Sequence, residues 1–341
     1  MAPLKRPKAM PFSLSEGDAL DAYEQWEAPS CIIADGPYGL GKYPGEPLSP
    51  DRLADWYAPH AAAWARHALP STTLWFWNSE IGWAKAHPAL EANGWEYEET
   101  VIWDKGIAHV AGNCNSKTIR GVPVVTELAV RYTRKVTLET VGGSSMPIKE
   151  WVRAEWLRSG LPMYESNRAC GVLNAATRKY LTQCWRWYFP PGEAIVGMAA
   201  YCTKFGQPTD RPYFSIDGKT PPTAEAWSRM RAKWAHTHGM TNVWQAPPVH
   251  NGERVRVAGS SSRYLHANQK PLALMERQIA ASTSHGDVVW EPFGGLCSAT
   301  VAAVRLGRRA YAAEINRGFY DAALERLQGA AATTSLVRKA A

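Results

Sequence analysis

The chain is poor in cysteine: six among 341 residues, none in a Cys-x-x-Cys pair and none beside histidine at zinc-finger spacing. That pattern excludes a disulfide framework and a structural zinc of that kind, leaves no metal to expect, and fits a reducing compartment. Long apolar runs are missing too, none approaching the roughly 18 residues of a membrane span. The opening MAPLKRPKAM carries charge without an apolar centre, so no secretory signal is expected and the reading is cytoplasmic, with no membrane association. There is no internal repeat, and the alanine-rich stretch after Gly329 reads as a frayed tail. The glycine pair of EPFGGLCSAT does not complete G-x-G-x-x-G, which argues against a nicotinamide cofactor.

What is present is ordinary for a folded protein, 45% hydrophobic and 20% charged residues, with an unusual 16 tryptophans. Charge is unevenly spread. The whole chain is +7, yet Gly143 to Leu265 alone holds 16 Lys and Arg against 8 Asp and Glu, leaving the rest near neutral. The same segment breaks periodicity, is rich in Pro and Gly, and reads as a separate module inserted between two halves of another.

Those halves alternate strands and helices. Ser30–Ala34, Thr72–Trp77, Tyr97–Trp103 and Glu127–Tyr132 are short apolar or alternating runs that predict strands, with a helix over Asp51–Leu69. After the insert, helices over Pro271–Ser282, Ser298–Leu306 and Phe319–Leu327 alternate with strands at Val288–Trp290 and Ala310–Ala313. The expectation is an α/β, doubly wound sheet with ligands at the carboxyl ends of its strands. The expected divisions are 1–142 and 264–330 (the two halves), 143–263 (a mainly helical insert) and 331–341 (tail).

Three places can carry chemistry. Asp35-Gly36-Pro37-Tyr38 follows the first apolar strand. Its carboxylate and the Gly36 carbonyl can accept the two hydrogens of an exocyclic amino group while Tyr38 stacks on the ring; the same residues also suit a plain strand-to-turn tetrapeptide. Glu291-Pro292-Phe293-Gly294-Gly295 ends a later strand and leads into a helix, whose amino terminus can receive a carboxylate. The next strand ends in Glu314, an acid placed to hold ribose hydroxyls. His266-Ala267-Asn268-Gln269-Lys270-Pro271 precedes a helix-starting proline.

With these placed, the sequence resembles the S-adenosylmethionine-dependent DNA methyltransferases that modify exocyclic amino groups. Their catalytic D/N/S-P-P-Y/F/W appears as DGPY (35–38), their D-P-F-x-G-S-G-T loop as EPFGGLCSAT (291–300), and an H-P-x-Q-K-P-like element as HANQKP (266–271). A fourth element, G-D, matches Gly17-Asp18. The order looks like the permuted beta class, and the resemblance covers about residues 12–135 and 264–328. It implies a circularly permuted Rossmann-like sheet, S-adenosylmethionine as cofactor, and double-stranded DNA as partner. Asp35, Gly36, Pro37 and Tyr38 would be catalytic; Phe293, Gly294 and Gly295 would line the methionine end beside Glu291. Lys270 and Asn268 would take the carboxylate side, Glu314 the ribose and Asp18 the adenine edge. Three departures stand out: Gly36 for the first proline, Glu291 for Asp, and Leu296-Cys297 for Ser-Gly.

An acidic first residue leans the acceptor toward adenine N6, with cytosine N4 as the alternative, and the target base must be flipped out to be reached. No cysteine follows a proline, so the nucleophile of carbon-5 methylation is missing. A non-catalytic DNA-binding regulator on the same scaffold is the competing reading, and a cognate restriction endonuclease a functional partner. In the insert, KEWVRAEWLR (149–158) predicts a helix. MYESNRAC and VLNAATRKYL suggest two more about Gly171, a pattern open to a helix-turn-helix with Arg178 and Lys179 on its second member, or to a hairpin that only packs. SRMRAKWAHTH (228–238), with Arg229, Arg231 and Lys233, suits phosphate tracking or a solvated helix face.

Overall fold

Cys31–Ala34 and Thr73–Asn78 are buried at every position, as strands covered on both faces must be. The computed structural model describes residues 10–340 apart from 44, 111–119, 250, 258 and 260–262. The chain opens with β1 (Phe12–Glu16), α1 (Ala19–Ala22), β2 (Cys31–Ala34), α2 (Leu53–His67), β3 (Thr73–Asn78), α3 (Glu80–Ala92), β4 (Trp95–Asp104) and β5 (Thr126–Arg134). Next come β6 (Thr137–Glu139), β7 (Ser145–Pro147), α4 (Ile148–Arg158), α5 (Glu165–Ala169), α6 (Gly192–Phe205) and α7 (Ala224–Ser228). The last stretch holds β8 (Val243–Gln245), α8 (Leu272–Ser282), β9 (Val288–Glu291), α9 (Ser298–Arg305), β10 (Arg309–Glu314) and α10 (Arg317–Ala340).

Residues up to Arg134 and from Lys233 onward form one compact unit; Lys135–Ala232 form a second. The first is built on an eight-stranded sheet of order β1-β10-β9-β2-β3-β5-β4-β8. Strands β1, β10, β9, β2 and β3 run parallel, while β5 is antiparallel to both β3 and β4. Alternate strand residues face opposite layers. Ile33, Trp75 and Val289 pack under Leu274, Ile279, Val301 and Leu327 from α8, α9 and α10. Ile32, Leu74, Phe76 and Trp290 pack under Tyr23, Tyr57, Trp64 and Leu90 on the other face. From β2 the chain winds toward β3, and from β9 toward β10, so the strand order reverses between β9 and β2. The crevice at such a reversal, at the carboxyl ends of the strands, is where doubly wound sheets bind ligands.

The second unit is mainly helical. Its core sets Trp151 and Trp156 of α4 against Ile195 and Met198 of α6 and Trp227 of α7, with the antiparallel pair β6–β7 alongside. Its boundaries correct the expected 143–263 at both ends. The pair β6–β7 starts the unit earlier, while 233–263 belongs with the sheet, where β8 pairs with β4 and Ala235 N donates to Ala281 O at 2.8 Å. The unit's 13 Lys and Arg against 8 Asp and Glu give +5, so part of the basic excess sits on the sheet unit. The expected frayed tail is also corrected, since α10 continues through Ala340. Among the described residues, no helix is long and apolar enough to cross a membrane.

Candidate active site

One cavity at the reversal point is lined by DGPY, EPFGG, Gly17-Asp18, Glu314 and, from HANQKP, His266, Asn268, Gln269 and Lys270. Each reaches it for the same reason. The turns after β1, β10, β9 and β2 leave parallel strands at the same edge, and the segment before α8 crosses that edge.

At the β2 end, Asp35 sits in a chain of paired charges. Lys270 Nζ donates to Asp35 Oδ1 at 2.7 Å and to the Tyr38 hydroxyl at 3.2 Å, and lies 3.2 Å from Glu127 Oε2. Glu127 Oε1 in turn accepts from Lys105 Nζ at 2.5 Å. The Tyr38 hydroxyl lies 3.1 Å from Asp35 Oδ1 and 3.2 Å from Glu127 Oε2. Lys270 is buried, with rings of Tyr38 and Trp77 each 5.4 Å from its nitrogen. Burial would pull an ammonium toward its neutral form, but two carboxylates outweigh it and hold the Lys270 pKa above its ordinary value. Asp35 moves the other way from a simple ion pair. Desolvation exceeds the pull of Lys270, the Glu127 charge adds to it, and the carboxyl lies above the usual range. Glu127 is pushed up by burial, yet two lysines bring it below that range.

The Lys270 ammonium lines the cavity and faces Asp35, Tyr38 and Glu127, which can take its three donors. Among the described residues, both contacts to the Asp35 carboxylate fall on Oδ1 and none on Oδ2.

The turn itself is fixed by its neighbours. Asn78 Nδ2 and the Tyr57 hydroxyl donate to the Pro37 carbonyl at 2.9 and 3.0 Å. Among the described residues none donates to the Gly36 carbonyl, which stays available. At Gly36 a Cβ would lie 2.5 Å from Phe293 Cδ2 and 2.6 Å from the Tyr57 hydroxyl, so Tyr57 and Phe293 fill the space that a proline would need. After the turn, the Glu46 carboxylate accepts from the backbone N–H groups of Tyr38, Leu40, Lys42 and Tyr43. Tyr43 then stacks flat on His266 at 5.2 Å, with Phe319 edge-on to both.

On the β9–β10 side, a Cβ at Gly294 would press Cys297 Sγ at 2.9 Å and the Ala313 carbonyl at 3.0 Å, so a bare backbone forms this wall. Glu314 lines the cavity and accepts from Gly295 N and Asn316 N, each at 2.6 Å. Glu291 is committed elsewhere. Its two oxygens accept from Ala299 N at 3.0 Å, and from Thr300 N and Oγ1 at 2.7 Å. The amino terminus of α9 therefore receives this internal carboxylate and not a ligand's, and burial pushes Glu291 up to about 7. Cys297 adopts a left-handed backbone, φ 53°, a conformation that suits the glycine of the resembled motif. Asp18 caps α1, accepting from Leu20 N at 2.9 Å, and Asn268 lies beside His266.

The residues present fit S-adenosylmethionine. Carboxylates at two adjacent strand ends, Asp18 and Glu314, can accept from hydroxyl and amino groups. The Gly294–Gly295 backbone admits close approach, and Tyr43, His266, Phe293 and Phe319 offer apolar faces.

A family model described as DNA methylase, the N6/N4 type, matches residues 30–325. The chain belongs to that family. Among curated relatives, the type II methyltransferase M.HpaI of Haemophilus parainfluenzae is 36% identical over 87 residues, 26% of each chain. The DNA adenine methyltransferase YhdJ of Escherichia coli K12 is 36% identical over 92 residues, 25% of this chain and 27% of its own. The chain thus matches these relatives over about a quarter of their length. The cytosine-N4-specific PvuII DNA methyltransferase shares the fold, with TM-score 0.51 over 97% of this chain and 95% of that one at 12% identity.

This DNA methylase family member carries its other candidate residues less tidily. Arg178 and Lys179 are exposed on a single π-turn, Ala176–Tyr180, and α5 has only five residues, so no helix-turn-helix forms. Residues 229–238 are not helical; Arg229 pairs with Glu225, and Arg231 lies 5.7 Å from the rings of Tyr188 and Phe189. Lys233 lies outside the second unit, and its ammonium donates to Thr283 O at 2.7 Å and Ser284 Oγ at 2.6 Å, closing the end of α8. Sequence reasoning missed Glu127, Lys105, Tyr57 and Glu46. Glu127 had one usable signal: it is the acid that starts an apolar run, and an antiparallel strand brings its beginning to the active edge.

Proposed function

We propose that this protein transfers a methyl group from S-adenosylmethionine to the exocyclic amino group of a base flipped from duplex DNA, with adenine N6 as the acceptor. The observation that carries the reading is that Asp35 and Gly36, whose Oδ2 and carbonyl receive no donor among the described residues, line the same cavity as Gly294, Gly295 and Glu314 at the sheet's reversal point. Bound there, S-adenosylmethionine supplies an electrophilic methyl group.

The chain's own residues do the rest. An amino nitrogen conjugated with its ring is a poor nucleophile. Hydrogen bonds from it to Asp35 and to the Gly36 carbonyl draw it toward tetrahedral geometry and aim its lone pair, so positioning provides much of the acceleration. Lys270 and Tyr38 hold Asp35 in place, and Tyr38 offers a ring face to the flipped base. Glu314 and Asp18 receive ribose hydroxyls and the adenine edge, with Asn268 toward the carboxylate.

Gly36 favours an enzyme over a regulator built on a decayed scaffold. Tyr57 and Phe293 occupy the missing proline's place, and Tyr57 fixes the turn. The acidic Asp35 supports adenine through the family resemblance. The exposed cations Arg178 and Lys179 meet phosphates, and the enzyme works in the cytoplasm as the modification half of a restriction pair. Sequencing with modified-base detection of plasmid from cells expressing the gene tests this. N6-methyladenine at a defined sequence is expected; N4-methylcytosine would reassign the acceptor, and unmodified DNA would contradict the reading.

A further inference from the structure

The cavity wall explains how Asp35 meets a substrate, but not why two further charges lie behind it. Glu127 and Lys105 do not line the cavity, are 12–15% exposed at their side chains, and form a close pair at 2.5 Å. Burying such a pair is costly unless its geometry serves something. What Glu127 touches is specific: Oε1 holds Lys105, while Oε2 faces both Lys270 Nζ and the Tyr38 hydroxyl, the two groups that bond Asp35 Oδ1.

We propose that Glu127 and Lys105 are positioning residues that share Lys270 between two carboxylates and so hold Asp35 by one oxygen, leaving Oδ2 to receive the amino group. The inference rests on the amino-methyl transfer reading. With Glu127 absent, Lys270 would serve Asp35 alone, damping its strength as a hydrogen-bond acceptor and releasing Tyr38. With Lys105 absent, the Glu127 charge would be opposed by Lys270 alone and act on Asp35 more strongly. The groups facing Asp35 are Lys270 before α8, Tyr38 in its own turn, Glu127 on β5, Tyr57 on α2 and Tyr43 in the following loop; Lys105 stands behind Glu127 after β4. These acids titrate as a coupled set, so substitutions move its apparent pKa values together.

The test measures label transfer from S-adenosylmethionine to mixed-sequence plasmid DNA across pH for the full chain, with Glu127→Gln, Glu127→Asp and Lys105→Gln. Glu127→Gln is expected to lower kcat by about 10- to 100-fold, the scale of a misplaced reacting group. The KM for S-adenosylmethionine should stay within about threefold, because Glu127 is outside the cavity. Its acid limb moves to lower pH, Lys105→Gln moves the limb to higher pH, and Glu127→Asp recovers part of the rate. Opposite shifts are what a packing defect cannot produce. A Glu127→Gln variant that matches the wild type in rate and limb, or two variants whose limbs shift the same way or not at all, overturns the inference while leaving the transfer reading intact. Wild-type protein that transfers no label overturns both. Should Glu127→Gln fail to fold, Lys105→Gln decides alone: a limb moved up supports the inference and an unmoved limb overturns it.

Discussion

Lys270 Nζ lies 2.7 Å from Asp35 Oδ1 across 235 residues of sequence, joining the turn after β2 to the segment before α8. The contact exists because β9 lies beside β2, which places chain segments from opposite ends at one edge. It also makes Lys270 part of the architecture of the Asp35 turn. Lys270→Met would leave Asp35 and Glu127 as buried like charges. Label transfer is expected to fall at least about 100-fold. Stability should drop by about 3 kcal/mol, the lower end for breaking a buried ion pair. Stopped-time transfer assays and urea denaturation measure the two effects.

Asp35 must be ionised to accept an amino hydrogen, and its pKa is raised by burial. Activity should therefore fall as pH drops through a limb above the ordinary carboxylate range. A single-turnover pH profile reads this directly, and a limb at the value of a free aspartate would contradict it.

Glu291 has a folded pKa of about 7 against an ordinary 4.5. A raised carboxyl binds more protons folded than unfolded. Its contribution is fully present below 4.5 and is lost as pH rises through about 7, by about 3 kcal/mol for the whole shift. Denaturant midpoints between pH 4 and 8 should show this decline, and Glu291→Gln should flatten it.

At Gly36 even one added carbon meets Phe293 and the Tyr57 hydroxyl. Gly36→Ala should cost about 1–3 kcal/mol, the usual range for overpacking. It should also lower transfer by displacing the turn. Unchanged denaturation would show that Phe293 and Tyr57 yield freely.

The cations separate by their partners. Arg178 and Lys179 are exposed, whereas Lys233 is bound to Thr283 O and Ser284 Oγ. In salt titrations of DNA binding, neutralising Arg178 or Lys179 should each reduce the log–log slope by about 1. Lys233→Gln should leave the slope alone and lower stability instead.

Much of the sheet was legible because buried parallel strands are short continuous apolar runs, as at Cys31–Ala34 and Thr73–Asn78. Gly17-Asp18, DGPY and EPFGG were legible because each lies at a strand end, whereas HANQKP lies before α8. The role of Lys270 was not, since its neighbours HANQKP say nothing of Asp35 or Glu127. Strand β8 was hidden in a segment whose basic charge and broken periodicity resembled the insert; three residues paired with β4 carry no periodic signal. The helix expected around 172–181 became one π-turn, since helical spacing over so short a stretch cannot fix a helix.

Asp35 is proposed to receive the amino group that is methylated. The measurement is transfer of labelled methyl from S-adenosylmethionine to duplex DNA by wild-type protein and Asp35→Ala, with cofactor binding by calorimetry on both. Wild-type transfer, at least about a 1000-fold loss in the variant and retained cofactor binding are expected. Undiminished label in Asp35→Ala would contradict the account.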